Sequence, residues 1–335
     1  ALQQALIAGS HAFKDTSVFK NPDASDVLFK TSLITVLSQK AYALYSVYEY
    51  KGMNDKYLQA ALNAQEMAVQ LIDKLVERMD NEKSELNLLD RRREILDNAV
   101  SYATLLYLGT SNEQYAEKAF LHAEKSKMQV LTLSMYRKNL ASRSGIPDSL
   151  IIREKLLSRE ILNTENYLTL EEKNGVPEMH AELVSKLARL YERRDELHVL
   201  MENNFPGYKQ LKSNFSITGL DGIRQKLKSD QVILEYQLLK TELIILVITR
   251  SGINIHFLPH DDQFFNHVRQ FREELTRTVL PADPMESFRS FTSSAYYLYT
   301  RLIGPAHEEI RNKRLIIIPH KELNLIPFEA LISAM

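Results

Sequence analysis

The chain has no cysteine and no tryptophan in its 335 residues. The first absence removes disulfides, thiolate metal sites and a cysteine nucleophile from this chain. It is consistent with a reducing compartment. The second leaves aromatic burial to 16 Tyr and 13 Phe. Glycine and proline number only 10 each and cluster late, so most of the chain lacks helix breakers. No apolar run approaches the roughly 18 residues of a membrane-spanning helix. A leader is not legible from a chain that opens on Ala1. Neither charge sign is in excess: the formal net charge is −1. Composition therefore indicates neither nucleic acid nor an anionic membrane as partner. No GxSxG elbow, P-loop, GxGxxG, HExxH or EF-hand loop is present.

What is present is helical period. Apolar residues recur three and four apart through "DVLFKTSLITVLSQKAYALYSVYEY" (Asp26 to Tyr50), as one face of a helix requires. "KGMND" breaks it, and Asn54 or Asp55 can cap the next helix, which runs to about Met79. A third runs from Ser84 to Leu108. "GTSN" (Gly109 to Asn112) supplies a C-terminal glycine and a new cap. A fourth helix follows to "SGIPDS", where Asp148 or Ser149 starts a fifth. "NGVPEM" (Asn174 to Met179) separates that helix from a sixth, which ends at "NNFPGY".

Helix pairs joined by short breaks invite a search for repeats. "YLQAALNAQE" (Tyr57 to Glu66) aligns with "YAEKAFLHAE" (Tyr115 to Glu124), pairing Ala61 with Ala119 and Glu66 with Glu124. Upstream, Ala41 aligns with Ala99 and Tyr48 with Leu106. Small residues between larger ones let helices approach closely. This pattern resembles the tetratricopeptide (TPR) helix-turn-helix unit, with a longer period and longer helices than the ~34-residue standard.

After Pro206 the texture changes. "SITGLDGIRQKLKSD" (Ser216 to Asp230) reads as a short helix. Val232 to Gln237, Leu243 to Thr249 and Ile253 to Leu258 read as strands rich in β-branched residues, joined by "LLKTE" and "RSG". Asp261 and Asp262 can cap a helix. Pro281 and Pro284 separate it from a longer one, Met285 to about Asn312. Leu315 to Ile318 then reads as a buried strand, and Phe328 to Leu331 as a first helical turn. The tail is α/β, with a domain boundary near residues 205 to 218.

Several residues invite chemistry. His256, His260 and His267 lie close in sequence to Asp261 and Asp262, but a metal needs three or four ligands converging on one point. A strand end, aspartate caps and exposed histidines is the preferred reading. His320 follows the last strand, a fair place for a catalytic residue, yet Lys321, Glu322 and Asn324 make a turn the simpler assignment. "DRRRE" (Asp90 to Glu94) and "YERRDEL" (Tyr191 to Leu197) read as solvated helix faces with local ion pairs. Tyr45 and Tyr48 read as core. The sharper alternative for Tyr42, Tyr45, Tyr48 and Tyr50 is a peptide-lining groove. Asn214-Phe215-Ser216 matches a glycosylation sequon and is read as chance.

"LIIIPHKELNLIPFEALI" (Leu315 to Ile332) resembles the opening strand-turn-helix of the CHAT domain, the caspase-like peptidase domain found with TPR repeats. Val232 to Pro259 is similar to the hairpin region that opens such domains. Ala295 to Pro319 is similar to the helix feeding the first core strand. Ala119 to Leu131 resembles the last repeat before CHAT. The resemblance implies a bacterial, cytoplasmic relative of caspases and separase. In these enzymes a thiolate attacks a peptide carbonyl with a histidine as base. It places that His and Cys downstream of this motif, so the chain is expected to be cut before its dyad and to lack peptidase activity.

The expected fold is therefore mostly α: a TPR-like α-α superhelix over residues 1–205, then the first part of a caspase-like α/β domain over 206–335. No catalytic, cofactor or metal residue is assigned. The expected partner is a protein or peptide in the solenoid groove, with self-association through the C-terminal strand as a further option. A non-enzymatic TPR-type scaffold is the alternative function.

Overall fold

The computed structural model describes residues 1–27, 30–76, 82–143, 146–174, 177–205, 218–277 and 283–334. The chain divides into two compact units. One comprises Ala1–Asn98 with Lys125–Ile217, the other Ala99–Glu124 with Thr218–Met335. The sequon Asn214-Phe215-Ser216 and most of the expected 205–218 boundary lie outside the described residues.

The first unit is helical. It begins with α1 (Leu2–Ala8), followed by α2 (Lys30–Tyr50) and α3 (Asp55–Val76), which pack as a hairpin. Two long helices, α4 (Glu82–Thr110) and α5 (Glu113–Arg143), each contribute residues to both units. A further hairpin, α6 (Asp148–Asn174) and α7 (Pro177–Asn204), has its own core of Ile146, Leu157, Ile161, Leu190, Leu197 and Met201. Asp148 opens α6 as the sequence suggests. The mostly helical class is borne out, with a small sheet confined to the C-terminal part.

The internal repeat has a structural counterpart. Ala41 and Ala99, Ala61 and Ala119, and Tyr48 and Leu106 are all buried. The turns match as well. Met53 and Ser111 both adopt left-handed backbone, with φ of 58° and 55°. The residue after each is an asparagine whose Oδ1 accepts the backbone N–H two positions on. Asn54 takes Lys56 N at 3.1 Å, and Asn112 takes Gln114 N at 3.1 Å. Each caps the helix that follows. In the second turn Gly109 is not the stop the sequence suggests. It stays inside the last turn of α4, and Ser111 makes the left-handed step.

Residues 1–27 are tied to α2 by one buried cation. Lys40, only 4% exposed, donates from Nζ to Gln3 Oε1 (2.7 Å), Lys20 O (2.7 Å) and Asn21 Oδ1 (2.8 Å). Gln3 in turn donates to Asp15 O at 2.7 Å. Three acceptors match the three N–H groups of an ammonium. Burial pulls the Lys40 amine down to about 8, against the opposing pull of Asp15. Gly9 sits where α1 meets α2. A Cβ there would lie 2.8 Å from Leu33 Cδ2, so Leu33 would have to shift to admit a larger residue.

The second unit is built on a four-stranded sheet in the order β3-β2-β1-β4. Its strands are β1 (Gln231–Leu238), β2 (Glu242–Ile248), β3 (Ile253–Pro259) and β4 (Arg314–Ile318). The short α8 (Leu220–Lys226) leads into it. The first three strands form an antiparallel meander, and β4 adds to β1 in parallel. Between β3 and β4 lie α9 (Asp262–Thr276) and α10 (Pro284–Leu302). Asp261 caps α9 through Gln263 N and Phe264 N, and Asp283 caps α10 through Met285 N and Glu286 N. Phe264, Val268 and Phe271 of α9, with Ala295, Leu298 and Leu302 of α10, cover one face of the sheet. That face carries Val232, Leu234, Tyr236, Leu238, Leu243, Ile245 and Val247. Tyr236 is fully buried and donates to Leu302 O at 2.8 Å, the carbonyl at the end of α10.

The long helix expected over Met285 to Asn312 is shorter in fact. It stops at Leu302, gives way to a 3-10 turn at Gly304–Ala306, and resumes as the four-residue α11 (His307–Ile310). Pro305 has no N–H to donate and breaks the helical ladder. Phe328–Ala330 is a 3-10 turn rather than the start of an α-helix.

Candidate functional site

The residues that carry the CHAT resemblance converge on the end of β1. Its pairing with β4 runs from Gln231↔Arg314 to Glu235↔Ile318. Beyond that, β4 turns away at Pro319 while β1 continues to Leu238. On that side Leu238 has both backbone groups left over, and two consecutive side chains take them. Leu238 N donates to His320 Nδ1 at 3.0 Å, and Lys321 Nζ donates to Leu238 O at 2.9 Å. The two side chains extend the ladder where the strand has ended. Because His320 Nδ1 accepts, its ring proton sits on Nε2. Lys321 adopts a left-handed φ of 52°, unusual for a side chain with a Cβ. His320 is thus a buried turn residue that holds β1.

Among the described residues no strand pairs with the other edge of β4. Leu315 and Ile316, on opposite faces, are 38% and 39% exposed. The expectation that Leu315 to Ile318 is a buried strand is therefore corrected. An aliphatic run reads the same whether one edge is paired or both. The edge carries no charge or proline between Leu315 and Ile318, the usual devices that discourage further pairing.

On the face of β1 opposite Tyr236 lie two fully buried polar residues, Glu235 and Gln237. Glu235 stands between Leu246 of β2 and Ile318 of β4. A carboxylate in that position persists only with donors against it. Nothing in the local sequence marks these two as interior, because "LEYQL" (Leu234 to Leu238) alternates polar and apolar as a half-exposed strand would. Near the same sheet, Tyr107 at the end of α4 donates to Ile253 O at 3.1 Å, and Arg224 of α8 lies 3.9 Å from Glu113 of α5.

The histidines near the aspartate pair go to separate partners. His256 Nε2 lies 3.1 Å from Glu309 Oε1. His260 Nε2 lies 3.1 Å from Leu239 O. His267 Nδ1 lies 3.2 Å from Ser294 Oγ, with its ring stacked on Tyr297 at 4.0 Å. Among the described residues no group of three or more His, Cys, Asp or Glu could hold a metal ion. Burial works to raise the Glu309 carboxyl, but hydrogen bonds from Asn254 and the His256 contact outweigh it and hold it below its usual value.

The charge runs are more structural than expected. Arg92 meets Asp73 at 2.6 Å and joins α4 to α3. Arg194 of "YERRDEL" is buried, with its guanidinium 5.2 Å from the Tyr191 ring centre. Among the tyrosines of α2, Tyr48 is buried and stacks on Tyr45 at 6.2 Å, while Tyr42 and Tyr50 are 69% and 89% exposed. Exposed Met53 follows them. No described helix is long and apolar enough to cross a membrane. No protein-family model matches the chain, and no curated protein matches it.

Proposed function

We propose that this chain is the regulatory, protein-interaction portion of a caspase-like cysteine peptidase of the TPR-CHAT type. In this reading the helical hairpins form a TPR-like sensor, and the sheet is the first part of the peptidase domain. The chain itself is then non-catalytic, since it has no cysteine to serve as the nucleophile. The observation that carries the reading is β4. The strand whose sequence resembles the first CHAT core strand runs parallel to β1 and offers an open aliphatic edge. In this reading the core sheet would continue at that edge. The matched turns at Met53 and Ser111 support the repeat. A protein or peptide partner bound by the hairpins would bias the catalytic half that the resemblance implies. A bacterial cytoplasmic setting follows from the same resemblance.

The test is enzymatic. The chain alone should hydrolyse no peptide in a fluorogenic library. Lengthened by the residues its gene encodes next, it should gain hydrolysis that thiol alkylation abolishes. An extension without a His and a Cys at successive strand ends sinks the proposal.

A second reading is a non-enzymatic scaffold. It is favoured by exposed Tyr42, Tyr50 and Met53, which suit a peptide contact without any catalysis. Under that reading the open edge of β4 serves self-association, which sedimentation over a concentration series detects.

A further inference from the structure

Helices α9 and α10 meet along a polar seam as well as an apolar one. At one end is the Glu274 carboxylate. It accepts from Ser287 Oγ (2.5 Å), Ser290 Oγ (3.3 Å) and Arg277 (2.8 Å). The Ser287 bond is the largest influence holding that carboxyl below its usual range, with the Arg277 charge and the Ser290 bond adding to it against burial. Ser290 Oγ accepts from Gln270 Nε2 at 2.6 Å. Gln270 Oε1 accepts from Ser294 Oγ at 3.0 Å. Ser294 Oγ lies 3.2 Å from His267 Nδ1.

The direction of this chain follows from its anionic end. A carboxylate only accepts, so the Ser290 hydroxyl proton points to Glu274. The Ser290 oxygen is then an acceptor and faces the amide NH₂ of Gln270. That orients the amide, whose carbonyl oxygen faces Ser294. The Ser294 proton is committed to that oxygen. What remains for Ser294 is to accept, and the only donor His267 can offer there is Nδ1–H.

We propose that Glu274 sets the tautomer of His267 through Ser290, Gln270 and Ser294, placing the ring proton on Nδ1 and presenting Nε2 as a bare acceptor. The ring is only partly buried, its plane is held by stacking on Tyr297, and no described group bonds Nε2. Burial also holds the imidazole below its usual pKa, which favours the neutral form. His267 is therefore a pre-oriented acceptor for an N–H or O–H donor. Glu274, Ser290, Gln270 and Ser294 are positioning residues. The opposite tautomer prevails at His320, where Nδ1 accepts, so the two histidines give contrasting signatures in one molecule.

The experiment is long-range ¹H–¹⁵N correlation NMR on the whole chain carrying ¹⁵N-histidine, near pH 7.5. His267 is assigned by the signal lost in His267→Gln. The expected pattern is Nδ1 protonated and Nε2 bare at His267. In Glu274→Leu and in Ser294→Ala this preference should be lost, giving a mixed or Nε2–H pattern. In Ser287→Ala, which touches Glu274 but not the chain of bonds, it should be retained. An Nε2–H pattern in the unaltered protein overturns the proposal even if no variant folds. So does an Nδ1–H pattern that survives both Glu274→Leu and Ser294→Ala.

Discussion

The two-residue clamp on Leu238 makes a prediction with an unusual sign. Ordinarily glycine destabilises relative to alanine, because it loses more backbone freedom on folding. At Lys321 the order should invert. Its φ of 52° penalises any residue with a Cβ by about 1–2 kcal/mol. Lys321→Ala keeps that penalty and loses the Nζ bond to Leu238 O. The side chain is exposed, so the bond contributes at the low end, about 1 kcal/mol. Lys321→Gly loses the same bond but relieves the backbone. It should be more stable than Lys321→Ala by about 1 kcal/mol. His320→Phe is the companion change. It keeps a ring in the site but leaves the buried Leu238 N–H without its acceptor, which costs about 1–3 kcal/mol. Urea unfolding followed by circular dichroism reads all three. The chain has two units, so the relevant transition is that of the sheet-containing one. If Lys321→Gly is no better than Lys321→Ala, and His320→Phe unfolds with the unaltered protein, the clamp does not hold β1.

Four further outcomes are expected. Stability of the helical unit should rise as pH goes from about 8 toward the ordinary lysine value, because the unfolded chain then binds more protons at Lys40 than the folded one. That rise should vanish in Lys40→Met, whose residues 1–27 should also become more sensitive to limited proteolysis. Tyr236→Phe should lose about 1–2 kcal/mol through the unpaired Leu302 carbonyl, read in the same urea titration. Asn54→Ala and Asn112→Ala should each cost about 1 kcal/mol in thermal unfolding, nearly equally, if the two caps are equivalent. Gly9→Ala should destabilise by about 1–3 kcal/mol, since Leu33 must move to admit the methyl group.

Features set by near neighbours in the chain are legible in the sequence. Asp148, Asp261 and the Asn54 and Asn112 caps belong to turns that close within a few residues, so their roles follow from local chemistry. The alignment of Ala61 with Ala119 is legible for a related reason: a small residue on a helical face reports close packing. Features set by distant contacts are not legible in this way. Gly109 and Ser111 sit in one turn, and only the packed length of α4 decides which of them ends the helix. Lys40, Glu235 and Gln237 carry polar side chains whose burial depends on segments far away in sequence. His320 reads as a turn residue from its neighbours, but its bond to Leu238 joins positions 82 apart. The Glu274 to His267 seam needs α9 and α10 in register, and serines at helical spacing carry no such instruction by themselves.

The most direct measurement of the central claim is to read and express whatever the gene encodes after Met335. The account predicts a strand ending in His and a following strand ending in Cys. The lengthened protein should cleave peptides, and substituting that Cys should abolish the cleavage. A stop codon, or a folded extension without the pair, would contradict it and leave the scaffold reading in its place.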